Sequence, residues 1–229
     1  MPRKAIICML SKAKIALEEN LDDVKRLLEF HAHEGGDAAG RRIGLEVLNK
    51  SAIVLITSYW EAYCEDLAEE ALEHIVGNAK TSDALPNEIK QLIAKELTDK
   101  TKEPHELAIW AIADDKWRSL LRKRFTQLTE DRNRKLNKPS FKNIDDLFNK
   151  SIGLSDVSSQ WNWPKRRLTA QKAREKLDKY VNLRCEIAHR GKANTSVRKR
   201  QVEDYFEFIE RTAKRTRSTV NKHVESITR

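Results

Sequence analysis

Apolar residues recur along this chain every three or four positions, and strand-like alternation is essentially absent. The spacing predicts a first helix from about Ser11 to His33, with Ile15, Leu17, Leu21, Val24 and Leu28 on its stripe and Gly35, Gly36 and Gly40 breaking it. A second, longer helix is expected from about Arg42 to Val76. Its run Ala52-Ile53-Val54-Leu55-Ile56, followed by Tyr59, Trp60 and Tyr63, is too apolar to face water on any side. This helix is the expected spine of the core, ended by Gly77-Asn78.

Pro86 suits the first turn of a short helix reaching Asp99. Another is expected from near Pro104 through Leu107, Trp110, Ala113, Trp117, Leu120 and Leu121 to about Leu128. The polar stretch Asp131 to Phe141 predicts a loop, Ile144 to Phe148 at most two helical turns, and Ser151 to Pro164 an irregular segment. That segment carries Trp161 and Trp163, whose rings must pack somewhere. Two helices close the pattern. One runs from Thr169 to Ala188, with Ala173, Leu177, Tyr180 and Val181 apolar and Gly191 marking its end. The last starts near Ser196 and carries Val202, Tyr205, Phe206, Ile209, Ala213, Val220, Val224 and Ile227. The expected class is all-α.

Seven Gly and five Pro in a chain that is 34% charged fit long helices with few turns. No run approaches the roughly twenty apolar residues that span a membrane. Ile6 to Leu10 lacks a cleavage signal, so secretion is not expected. Cys8, Cys64 and Cys185 have neither disulfide nor metal spacing, which predicts free thiols in a reducing compartment, the cytoplasm. The net charge of +9 hides an asymmetry. From Trp161 to Arg229 there are 19 Lys and Arg against 8 Asp and Glu, whereas residues 1–160 carry 25 against 27. The basic last third attracts polyanions such as nucleic acid, or serves solubility alone.

That third contains Arg184-Cys185-Glu186-Ile187-Ala188-His189 at a helix end, followed by Arg190-Gly191. A guanidinium that holds phosphate beside an imidazole that moves a proton is a minimal metal-free kit for cutting RNA. A surface arginine and a C-capping histidine give the same spacing. Arg26 with His31 or His33, and Arg217 with His223, repeat it elsewhere. Context separates them: Arg184 continues the apolar stripe through Val181 and Ala188, whereas Arg26 lies among Asp22, Asp23 and Glu29. On an ideal helix His189 lies about 140° round from Arg184, so the pair converges most easily when two chains meet at this helix end.

The chain resembles the HEPN superfamily of small helical proteins, and within it the RiboL-PSP-HEPN nuclease group. The residues that carry the resemblance are Ser58-Tyr59-Trp60-Glu61-Ala62-Tyr63-Cys64-Glu65-Asp66-Leu67, the segment Phe141 to Phe148 with Gly153-Leu154 and Trp161 to Trp163, and Leu183 to Gly191. It covers roughly residues 43–209. It implies a HEPN-like antiparallel helical bundle with additional N-terminal and middle helices: residues 1–40 as a helical extension packed on the core, residues 41–229 as the HEPN-like domain. It also implies Arg184 and His189 as motif residues meeting across a homodimer, RNA as substrate, no cofactor, and a setting in toxin–antitoxin pairs or phage defence with a cognate antitoxin or defence-system partner. Two positions depart from the group's pattern. Cys185 stands where many members carry a strong polar residue, and Arg190 is inserted before Gly191.

The expected chemistry is cleavage of single-stranded RNA by 2′-OH attack, leaving 2′,3′-cyclic phosphate and 5′-OH ends. Cys185 and Glu186 are candidate supporting residues. Lys165, Arg166, Arg167, Arg190, Lys192, Arg198, Lys199 and Arg200 are candidate nucleic-acid contacts. The alternative is a non-catalytic helical dimerisation or partner-binding protein. DNA binding through the last helix is a third reading, although no helix-turn-helix pattern precedes it. His31-x-His33 with Glu34 is an incomplete metal set, Asp114-Asp115 and Asp145-Asp146 read as solvated or capping carboxylates, and Tyr59, Trp60, Tyr63, Trp110 and Trp117 as core.

Overall fold

The apolar run around Ile53 becomes a 33-residue helix buried along most of its length. A computed structural model of the protein describes residues 12–35, 45–100, 114–134, 138–190 and 196–229, the side chains of 31–35, 96–100, 132–134 and 190 excepted. Its helices are α1 (Lys12–Gly35), α2 (Glu46–Asn78), α3 (Asn87–Lys100), α4 (Lys116–Arg134), α5 (Phe141–Ile152), α6 (Ala170–Arg190) and α7 (Lys199–Thr228). No strand occurs among the described residues; Trp163 and Leu168 form one isolated antiparallel bridge.

α1, α4, α5, α6 and α7 all pack on α2, which explains why it has apolar residues all round. Ala52, Ile53, Ile56, Trp60, Cys64, Leu67, Ala68 and Ala71 are each at most 1% exposed. Burying a large apolar side chain contributes about 1.5–3 kcal/mol, so this helix anchors the bundle. α1 lays Ala13, Leu17, Leu21 and Val24 against it. The Ala13 N–H donates to Glu70 Oε1 at 2.8 Å, and Asp23 reaches Tyr59, so α1 and α2 are antiparallel. α7 instead runs parallel to α2: Asn49 Nδ2 donates to Val197 O at 2.9 Å, Thr57 meets Tyr205 at 3.0 Å, and Tyr63 Oη donates to Ala213 O at 2.9 Å. The Thr57 hydroxyl donates to Ile53 O, which leaves Tyr205 as donor to Thr57.

Several expected boundaries shift. Of the helix expected from Pro104 to Leu128, α4 is described from Lys116, after Asp114 at a left-handed φ of 55°; residues 101–113, Trp110 among them, lie outside the described residues. α4 then continues to Arg134, through residues expected to form a loop, because its exposed face tolerates polar side chains. α5 spans 12 residues rather than two turns. Ser140 Oγ accepts the Asn143 N–H at its start, and Gly153 closes it at φ 70°. α2 runs to Asn78 with Ala79 as its extended cap. Trp60, Tyr63 and Trp117 are buried as expected, whereas Tyr59 is half-exposed. The expected breakers Gly36 and Gly40 and the side chains of His31 and His33 lie outside the described residues.

Candidate functional site

No proline or glycine interrupts Ala170 to Arg190, and Thr169 Oγ1 accepts the Lys172 N–H at 3.3 Å, capping α6 at its start. Ala173, Leu177, Tyr180, Val181 and Cys185 form the buried stripe of α6. Arg184, one turn after Tyr180, sits at the edge of that stripe and is half-buried. Its Nε is enclosed yet has no hydrogen-bond partner among the described residues. An enclosed donor left without an acceptor is costly. His189 is exposed on the last turn of the same helix.

One to three turns back along α6 a polar cluster joins α6 to α7, running from buried Tyr205 out to exposed Asp204. The rings of Tyr180 and Tyr205 stack with centroids 4.0 Å apart. Tyr180 Oη approaches Asp204 Oδ2 at 2.9 Å and Gln201 O at 3.1 Å, and Lys176 Nζ donates to Asp204 Oδ1 at 2.7 Å. Burial pushes both tyrosine hydroxyls up; at Tyr205 the Arg184 charge opposes that push. The guanidinium is therefore within electrostatic reach of Tyr205. Burial also works upward on Asp204, but hydrogen bonds from Lys176 and Tyr180 outweigh it and hold the carboxyl below its usual value. Asp204 thus holds Tyr180 and, through ring stacking, Tyr205.

The other sequence candidates are scattered. Cys185 is a buried free thiol turned into the apolar layer, and Glu186 is half-buried. Arg190 is helical, its side chain outside the described set, and Lys192 lies outside the described residues. Arg198 and Arg200 are exposed at the start of α7, and Lys199 pairs with Glu203 at 3.9 Å. Lys165, Arg166 and Arg167 are exposed just before α6, at the end opposite His189. Arg26, one of the repeated spacings, is exposed beside Asp23, and His223, another, bonds its Nε2 to Ile152 O at 2.9 Å.

Sequence reasoning missed the start of α2. Asn49 is 5% exposed and holds the Val197 carbonyl, while Glu46 bonds Ser196 and Val197. Together they fasten the chain where it re-enters α7 after the Arg184–His189 end. The available signal was a lone asparagine preceding an apolar run. Among the described residues no group of three or more His, Cys, Asp or Glu is arranged to hold a metal, and no helix is long and apolar enough to cross a membrane.

Compared with models of known families, residues 18–222 match the model described as RiboL-PSP-HEPN. No curated protein and no solved structure matches the chain.

Proposed function

Because this chain belongs to the RiboL-PSP-HEPN family, a family associated with nucleases, we propose that it is an endoribonuclease that cuts single-stranded RNA without a metal. The observation that carries this reading is the half-buried Arg184, its Nε without a hydrogen-bond partner among the described residues, on the same helix end as the exposed His189. A phosphate at the outer nitrogens of the guanidinium pairs its charge.

In the proposed reaction neutral His189 removes the proton from a ribose 2′-OH. The 2′-oxygen bonds to the adjacent phosphorus, and the bond from phosphorus to the 5′-oxygen breaks. The departing oxygen takes its proton from water, leaving a 2′,3′-cyclic phosphate and a 5′-OH. Arg184 offsets the charge gathering on the non-bridging oxygens. DNA survives because it lacks the nucleophile. The angular separation of Arg184 and His189 along α6 supports a homodimer in which two helix ends share one groove. A toxin or defence effector held by a cognate antitoxin or defence partner is the setting this reading extends to.

Incubating wild-type and Arg184→Ala/His189→Ala proteins with mixed RNA in EDTA, and analysing fragment ends, tests the proposal. The expected result is cyclic-phosphate ends from the wild type alone. Cleavage lost on chelation overturns the metal-free mechanism. A His189→Ala protein that cuts as fast as wild type overturns the assignment of the base. An intact wild-type protein that cuts no RNA points to a non-catalytic helical binding module, the reading that the buried Cys185 at a usually polar position favours.

A further inference from the structure

The segment from Gln160 to Leu168 is irregular in class but firmly held. Trp161 is fully enclosed, meets Trp60 edge-on at 5.9 Å and donates from Nε1 to Thr216 Oγ1 at 2.9 Å. Arg215 clamps the backbone, its Nε on Gln160 O at 2.8 Å and its Nη2 on Asn162 O at 3.0 Å. Trp163 and Leu168 exchange both backbone hydrogen bonds, at 2.8 and 3.3 Å. The tip between them is a short 3-10 turn, Pro164–Arg166, followed by Arg167 at φ 54°, a left-handed backbone that side-chain-bearing residues rarely adopt.

Three adjacent cations, Lys165, Arg166 and Arg167, project from this fixed tip, all exposed and none ion-paired among the described residues. Neighbouring cations differ: Arg174 pairs with Asp156, Lys176 with Asp204 and Arg211 with Glu207. A pinned backbone roots the three side chains in one short turn, so together they offer a concentrated positive surface to an external polyanion.

The exposed side of α6 continues from this tip. Lys172 and Lys179, seven residues apart and so nearly on one face, are exposed and without a carboxylate partner among the described residues. Beyond Lys179, the same helix continues to His189. From Ala170 to His189 the helix rises about 28 Å.

We propose that the Lys165–Arg167 turn is a second phosphate anchor for RNA, remote from the Arg184–His189 end, with Lys172 and Lys179 marking the path between them. This rests on the endoribonuclease reading of that end and adds a substrate requirement. A strand stacked at about 3.4 Å per nucleotide must be about eight nucleotides long to touch both points. Shorter RNA engages one end alone, so the protein selects long single strands over small fragments.

The test is affinity measured by fluorescence anisotropy at low salt, with uncleavable 2′-O-methyl RNA of four and of twenty nucleotides. The proteins are wild type, Lys165→Ala/Arg166→Ala/Arg167→Ala and the charge-preserving Arg166→Lys/Arg167→Lys. The expected result is a loss of tenfold or more for the triple variant on the long strand, little change on the short one, and retention of long-strand affinity by the lysine variant. The salt dependence should flatten by about two units of log–log slope, since each phosphate that is no longer neutralised removes about 0.7. Equal losses at both lengths, or no loss at twenty nucleotides, overturn the anchor. So does retained RNA affinity with abolished binding of a polyglutamate probe, which would assign the turn to an acidic protein. Wild-type protein that binds in this length-dependent way yet cuts nothing sinks the nuclease reading and leaves the anchor standing; cutting combined with no length-dependent loss does the reverse.

Discussion

Arg184 carries two opposed demands. The bundle must tolerate an enclosed donor without an acceptor among the described residues, while the proposed chemistry needs the rest of the guanidinium free for phosphate. Arg184→Met keeps the aliphatic stem and removes the unsatisfied group. Its stability should be unchanged or raised by about 1 kcal/mol, as for other replacements of unsatisfied buried polar groups by apolar ones. RNA cutting should be abolished in the same protein. Urea unfolding beside a cleavage assay reads both, and a loss above about 2 kcal/mol would show the guanidinium to be bonded within the fold. The spacing of Arg184 and His189 was visible in the sequence, but so were its repeats. Only three-dimensional surroundings distinguish them, because Arg26 stands in water beside Asp23 and His223 is occupied by a backbone carbonyl. Asp204, which sets Tyr180 and Tyr205 in place, was illegible because its partners come from another helix.

At the scale of the element, helix ends hold the sharper dependencies. Glu70 accepts backbone N–H bonds at the start of α1, from Ala13 at 2.8 Å and from Lys12, while its Oε2 is buried without a partner among the described residues. Burial raises its carboxyl above the ordinary 4.5, against the backbone bonds that lower it. The folded state thus holds the proton more tightly than the unfolded chain. The stabilisation from protonation is full below about pH 4.5 and is lost as pH rises through the folded value. Glu70→Gln keeps an acceptor and never ionises. It should be at least as stable as wild type at pH 7, with the difference shrinking towards pH 4; thermal melts at the two pH values check this, and a larger gap at pH 4 contradicts it.

A second dependency lies at the end of α5. A Cβ on Gly153 would stand 2.6 Å from Pro86 Cβ, at a backbone φ of 70°. Gly153→Ala should cost about 1–3 kcal/mol, seen as a lowered melting temperature. Helix identity was readable from apolar spacing throughout. The length of α5 was readable too, since Phe141, Ile144, Leu147, Phe148 and Ile152 keep helical spacing along it, but the expected two turns took in only Ile144 to Phe148; the Ser140 cap and the Gly153 stop set its ends. By contrast, the left-handed Asp114 just before α4 leaves no mark on periodicity.

Over the whole molecule, periodicity tells which face of a helix is buried but not which helix covers it. The parallel pairing of α2 with α7, across a separation of about 150 positions, therefore had no signal in the pattern. Nor does the basic last third act as one field. Folding α6 and α7 into an antiparallel hairpin sends Lys165–Arg167 to one end, with Arg215, and Arg198–Arg200 to the other, beside His189. α7 supplies Tyr205, Phe208, Ile209 and Val220 to the core. A chain truncated before Lys199 should lose cooperative thermal unfolding altogether; a sharp melting transition in that fragment would contradict the dependence.

The parallel pair also governs the order of events during synthesis. Domains fold as they emerge, from the N-terminus onward. Here α1, α2 and α6 all precede the helix that covers Ile53, Thr57 and Tyr63. A nascent chain must therefore carry the most apolar helix of the protein partly uncovered while more than a hundred further residues are made. Over that interval its uncovered apolar face favours association between chains, and the Arg184–His189 end lacks its α7 support until that helix arrives.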